Sequence, residues 1–130
     1  MKPQHAVLQR SIGYQFEEPE LLVRALTHRS FGADNNERLE FIGDGLVNAV
    51  VAELLFSHYP DLDEGSLSRL RSKLVSKEGL AMLAERFELG PLVLMGAGER
   101  KSGGRHRASI MADTVEALAG SMLVEAGFGM

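Results

Sequence analysis

Residues 36 to 59, running Asn-Glu-Arg-Leu-Glu-Phe-Ile-Gly-Asp-Gly and on to His58 and Tyr59, read as one long helix with two unlike faces. At 100° per residue, Leu39, Ile42, Leu46 and Val50 form an apolar stripe suited to a core. Glu37, Glu40 and Asp44 form a second stripe, well over 90° away. Acids at this spacing sit one above another and repel by a few tenths of a kcal/mol per pair, so something should compensate them. Two readings stay open for this helix alone: a solvated acidic face, with Glu37 favoured by the helix dipole, or half of a charged site.

The rest of the chain reads almost entirely as helix. Pro3 to Ser11, with Ala6, Val7 and Leu8, predicts a short helix ending near Ile12-Gly13. Pro19 occupies a favoured first helical position, and Leu21, Leu22, Ala25 and Leu26 carry that helix to about His28. A loop over residues 31 to 35 leads to the long helix, which Asn35 or Asn36 could cap and Tyr59-Pro60 should stop. Asp63 can cap a helix over residues 64 to 75, with Leu67, Leu70 and Leu74 inward and Arg69, Arg71 and Lys73 outward. Ser76 caps another, striped by Leu80, Leu83, Ala84 and Phe87 and stopped at Gly90. Residues 92 to 95 are too short to assign by period, so strand and turn both stay open. Residues 96 to 104 read as a mobile loop by composition. Ser109 to about Ala126 forms the last helix, with Ile110, Val115, Leu118 and Met122 facing the core. The expected class is all-α, one domain over residues 1 to 130. Gly43 and Gly45 should each cost the long helix up to about 1 kcal/mol relative to alanine, a cost usually explained by close helix packing.

Cysteine is absent, so any metal must be held by oxygen or imidazole, and a reducing compartment fits. No apolar run approaches the roughly 18 to 20 residues that span a bilayer, and the first fifteen residues lack the apolar centre of a signal peptide. These features lead us to expect a cytoplasmic protein without a membrane partner. Net charge is −4, yet residues 65 to 110 hold nine of the fourteen Lys and Arg against four acids. That asymmetry suggests a basic surface for a polyanion beside an acidic patch that cations would have to screen.

Asp113 and Glu116 stand at i, i+3 on the last helix among apolar neighbours, poorly placed for mere solubility. If the two helices pack, Glu40 and Asp44 can meet them; from spacing alone, the alternative that the pairs never meet stays open. Four carboxylates at one place would raise one another's pKa values unless a cation intervened. An all-oxygen site of that charge suits Mg2+ first and Mn2+ next. Helical di-iron sites use Glu-x-x-His, whereas Gly43 follows Glu40 and Ala119 follows Glu116 at that spacing, which disfavours iron. His28 and His58 fall near predicted helix ends, where capping or core packing is expected, and His5 and His106 look like surface residues.

Asn36 to Gly45 resembles the signature of the ribonuclease III family of double-stranded-RNA endonucleases, Asn-Glu-Arg-Leu-Glu-Phe-Leu-Gly-Asp-Ser, at eight of ten positions. Residues 61 to 65 (Asp-Leu-Asp-Glu-Gly), 101 to 104 (Lys-Ser-Gly-Gly) and 112 to 117 (Ala-Asp-Thr-Val-Glu-Ala) are similar to its bacterial branch in order and spacing. The resemblance covers nearly the whole chain. It implies an all-helical, homodimeric catalytic domain that cleaves double-stranded RNA with Mg2+, leaving 5′-phosphate and 3′-hydroxyl ends with short 3′ overhangs, in rRNA and mRNA processing. The family's metal ligands fall on Glu40, Asp44, Asp113 and Glu116, with Asp44 and Glu116 central to catalysis. Glu37 and Glu64 match two further acids of the cleavage cleft. Phe41, which by position alone would be ordinary core, matches the aromatic at the family's dimer interface. Arg69, Arg71, Lys73, Lys101, Arg105 and Arg107 are expected to grip the RNA backbone by shape. Ile42 for leucine conserves volume. Gly45 for serine removes a hydroxyl next to a ligand and leaves the effect on local rigidity open. Bacterial members usually continue into a separate RNA-binding domain, so an excised catalytic domain is expected here. The rival readings are a non-catalytic RNA-binding or ribosome-associated relative and an all-α nucleoside triphosphate pyrophosphatase.

Overall fold

The computed structural model describes residues 2–129, and among them the fold is all-α. The helices are α1 (Pro3–Ile12), α2 (Pro19–Ala25), α3 (Glu37–His58), α4 (Glu64–Leu74), α5 (Lys77–Arg86), α6 (Ala97–Lys101) and α7 (Ala108–Ala126), with 3-10 turns at Gly90–Leu92 and Gly104–His106. The fold is organised about α7, which packs along α3 on one side and α5 on the other, with α2 against it as well. That position makes α7 the most buried helix, with Ile110, Met111, Ala112, Thr114, Val115, Ala117 and Leu118 all inside. The hydroxyl of Thr114 is satisfied by the carbonyl of Ile110 at 2.8 Å and that of Ser121 by Leu118 at 2.7 Å, so neither leaves a buried donor unpaired.

The caps follow the sequence closely. Asp63 accepts from the Ser66 amide at 2.8 Å and Ser76 from the Gly79 amide at 3.0 Å, each satisfying one of the free N–H groups of a helix start. At α3 the two asparagines divide the work. Asn35 accepts from the Glu37 amide at 3.0 Å. Asn36, buried, turns away from the helix end and donates to the Ala25 carbonyl at 3.0 Å, tying the end of α2 to the start of α3.

Several expectations need correction. Ile42 and Val50 are exposed rather than core, and the buried line of α3 runs through Leu39, Gly43 and the partly buried Val47. At 100° per residue this is a rotation of roughly 60° towards the acidic stripe. The cause is Gly43: a Cβ there would overlap the Glu116 carbonyl, and one on Gly120 of α7 would overlap the Leu39 carbonyl. The two backbones touch at this crossing, which draws the acids of α3 to the edge of the interface. Gly45 has open space around it, so close packing explains only the first glycine. Leu74 and Leu83 are exposed rather than inward. The second helix stops at Ala25, short of His28. Residues 96 to 104 are not an irregular loop, since they carry α6 and the start of a 3-10 turn. Residues 92 to 95 form no strand, but Leu94 pairs with the segment after α2: its amide donates to Leu26 and its carbonyl accepts from His28, both at 2.8 Å.

The glycine contrast gives a direct test of the crossing. Gly43→Ala should destabilise the chain by about 3 kcal/mol or more, because backbone overlap cannot be relieved by a rotamer change, whereas Gly45→Ala should leave the fold of the single chain undisturbed. Urea denaturation of the two variants side by side checks this; equal stabilities would contradict the close approach at Gly43.

Candidate metal centre

The crossing of α3 and α7 brings Glu40 to Asp113 and Glu116, which lie 73 and 76 positions further along the chain. Glu40, Asp113 and Glu116 each offer an oxygen, and these oxygens lie within 4.8 Å of one another. Glu40 shares a hydrogen bond with Asp113, and Glu116 shares one with Asp44. Asp44 is exposed and stands outside the triangle of three, linked to it through Glu116.

The electrostatics follow from that crowding. Glu40 is pushed up to about 7, first by burial and then by the charge of Asp113, its hydrogen bond and the charge of Glu37, with Arg29 opposing. Glu116 is pushed up to about 8 by burial, by its hydrogen bond to Asp44 and by the charges of Asp44, Glu40 and Asp113. Burial also raises Asp113, against the hydrogen bond from Glu40 and the positive charges of His28 and Arg29. Carboxylates this close cannot all ionise without a cation. With only carboxylate oxygens as donors, the set fits a hard divalent ion better than a soft one.

Both upward shifts mean that the folded chain holds protons on Glu40 and Glu116 more tightly than the unfolded chain does. The resulting stability is fully present below the ordinary value of 4.5 and is lost as the pH rises through about 7 and about 8. The metal-free protein should therefore melt at lower temperature as the pH is raised over that window. A hard divalent cation, which binds the folded state, should restore the loss, and Asp113→Asn should blunt the restoration. Thermal melts with and without millimolar cation across the window check this; a melting temperature indifferent to cation at the alkaline end would count against a preformed site.

Beside the triangle lies a cleft of about 360 Å³, lined by Glu37, Glu40 and Asp113 together with His28, Glu99 and Arg107. Glu37 reaches Arg29 at 3.9 Å. Arg107 pairs with Glu99 at 3.3 Å and donates to the Ser102 carbonyl at 3.2 Å. His28, expected to cap or pack near a helix end, and Glu99, which the sequence left unassigned, are both members of this cleft; neither belongs to a spacing pattern, and the pairing of residues 26 to 28 with Leu94 and of Ser30 with Gly96 brings their segments together. Glu64, at the first turn of α4, is exposed and does not line the cleft. Arg105 is not a free surface cation: it donates to the Gly90 carbonyl at 2.9 Å and lines a separate groove of about 900 Å³ that holds none of the clustered acids. Arg69 bonds Ser66 within its own helix, while Lys73 and Lys101 are exposed and Arg71 is half-buried.

A family model described as Ribonuclease-III-like matches residues 18–130. Among curated proteins, Ribonuclease 3 of Nitrosomonas europaea is 50% identical over 126 residues, covering 97% of this chain and 51% of that protein. Ribonuclease 3 of Pseudomonas syringae is 54% identical over 120 residues, 92% of this chain and 52% of that protein. The chain thus spans about half the length of these relatives. Among solved structures, the nuclease domain of ribonuclease III from Campylobacter jejuni superposes with a TM-score of 0.92 at 42% identity, over 99% of this chain and 88% of that one. A second structure of that domain, described by flexibility in a region involved in dimer formation, gives 0.90 at 43% identity over 95% and 87%.

Proposed function

The chain belongs to the ribonuclease-III-like family, and on that premise we propose that it is the catalytic domain of a Mg2+-dependent endonuclease acting on double-stranded RNA. The observation that carries the reading is the convergence of Glu40, Asp113 and Glu116 within 4.8 Å at the wall of an open cleft. These three would hold the ion, Mn2+ being a substitute, with Asp44 adding charge through Glu116. When bound, the cation supplies Lewis acidity at the scissile phosphate and an acidified water. The chain's own part is to fix the carboxylates in place before substrate arrives, through the backbone contact at Gly43 and Gly120. Water adds to phosphorus, the bond to the 3′ oxygen breaks and that oxygen takes up a proton, leaving 5′-phosphate and 3′-hydroxyl ends. No side-chain nucleophile is needed.

The remaining assignments are part of the same reading. Glu37 shapes the cleft floor with Arg29; Glu64, apart from the cleft in a single chain, enters on the resemblance. Arg107 faces the substrate from the cleft wall, and Arg69, Arg71, Lys73 and Lys101 meet phosphates outside it. Arg105, anchored to Gly90, contributes least to RNA binding. Two such chains form a homodimer through the face that carries Phe41, so that both strands are cut and short 3′ overhangs result. The setting is cytoplasmic processing of rRNA and mRNA.

The test is incubation of the purified chain with long duplex RNA and Mg2+ at low salt, with a chelator control. Short duplexes with 5′-phosphate ends are expected. RNA that is bound but uncut would point to a non-catalytic relative, and hydrolysis of free nucleoside triphosphates with duplex RNA untouched would point to a pyrophosphatase.

A further inference from the structure

His28 sits on the cleft wall in a setting that determines which ring nitrogen carries hydrogen. The Ser30 amide donates to Nδ1 at 3.1 Å, and the Ser30 hydroxyl lies 2.8 Å from the same nitrogen. A nitrogen that accepts from a backbone N–H cannot itself be protonated, so the neutral ring carries its hydrogen on Nε2. The turn behind it is held from across the chain. The Gly96 amide donates to the Ser30 hydroxyl at 2.9 Å, and the His28 amide donates to Leu94 at 2.8 Å. A Cβ on Gly96 would meet the Ser30 carbonyl at 2.5 Å, so this approach requires glycine. His28 lines the cleft together with Glu37, Glu40 and Asp113, which places it close to the acids. With Nδ1 occupied, the ring nitrogen left to donate is Nε2. Among the described residues, Nε2 has no hydrogen-bond partner.

We infer that His28 is a substrate-contacting residue whose Nε2–H donates to a phosphate oxygen of the duplex seated in the cleft. This rests on the nuclease reading for the identity of the ligand. A rigid donor at that point gives the backbone a fixed register beside the carboxylates, a task that long, mobile Lys and Arg side chains perform less sharply. No proton need be transferred, and the contact works with the neutral ring.

Two substitutions separate this role from a purely structural one. Asparagine places its amide oxygen near the position of Nδ1, so His28→Asn keeps the bond to Ser30 and loses the donor to the cleft. Glutamine reaches the position of Nε2, so His28→Gln keeps the cleft donor. In Ca2+, His28→Asn should bind duplex RNA about 10-fold more weakly and, in Mg2+, cut it about 10- to 100-fold more slowly, the span of one hydrogen bond to a charged group. His28→Gln should stay within about 3-fold of wild type in both measurements, a small fraction of that span. Asparagine behaving like wild type, the two variants losing equally, or glutamine alone losing would each overturn the contact. If the wild-type chain binds duplex in Ca2+ yet never cuts in Mg2+, the nuclease reading fails while the His28 contact is decided by the binding measurements. A wild-type chain that does not bind duplex RNA overturns both.

Discussion

Glu116→Gln is expected to lower the rate of duplex RNA cleavage in Mg2+ by about 10³-fold or more while leaving the metal-free protein at least as stable as wild type. The two halves of that expectation have one cause. Glu116 holds a pKa pushed up to about 8 because it is partly buried and bonded to Asp44, with Glu40 and Asp113 close by. In the metal-free protein near neutral pH it is therefore largely protonated, and glutamine reproduces that neutral form in shape and hydrogen bonding. With a cation present the wild-type side chain ionises and contributes a negative charge that glutamine lacks. Changes to groups that only support a metal's ligands already cost about 10- to 100-fold, so removal of a ligand charge should cost more. Single-turnover cleavage and a thermal melt on the same preparation check both halves. A variant that cuts at near wild-type rate would remove Glu116 from the site, and one that fails to fold would show that the carboxylate has a structural role instead.

Much of this site was legible in the sequence because helical spacing is a strong constraint. Glu40 and Asp44 on one helix and Asp113 and Glu116 on another each fall on a single face by period alone. What spacing could not supply was the angle at which the faces meet. The apolar stripe pointed to Ile42 and Val50, yet burial follows Gly43, because a glycine attracts a neighbouring backbone without registering in a hydrophobic pattern. The resulting rotation leaves Glu40 half-buried and so accounts for its raised pKa. His28 and Glu99 escaped for a different reason. They lie on segments brought to the cleft by pairing between residues 26 to 28 and Leu94, which is long-range and too short for any periodicity to reveal. The residues 96 to 104 misled through composition: glycines at 96, 98, 103 and 104 suggest mobility, but Gly104 packs where a Cβ would crowd Met95 and Glu99, and Glu99 pairs with Arg107 across the turn. Gly96 and Gly104 thus serve close packing, whereas Gly103 supplies a left-handed φ of 89° at the turn.

Phe41→Ala is expected to shift the chain from dimer to monomer and to abolish paired cuts. Phe41 is 83% exposed and Phe56 73% exposed on the same helix, an arrangement that a lone chain has no reason to keep. At 100° per residue, Phe41, Gly45, Ala49 and Phe56 lie within about 80° of one another, so the two aromatics frame a shallow strip of small residues. This gives Gly45 a role that the close packing of Gly43 does not: it meets nothing in its own chain and leaves room for another. A two-fold interface built on such a strip would be self-complementary, each phenylalanine filling space beside the partner's strip. Truncating a buried aromatic costs about 3 to 5 kcal/mol, and two copies of the change act on every dimer. Because Phe41 is solvent-exposed within its own chain, the monomer should lose little stability. Sedimentation at micromolar concentration and sequencing of cleavage ends read the two consequences separately. A variant that stays dimeric would show that the interface lies on another face.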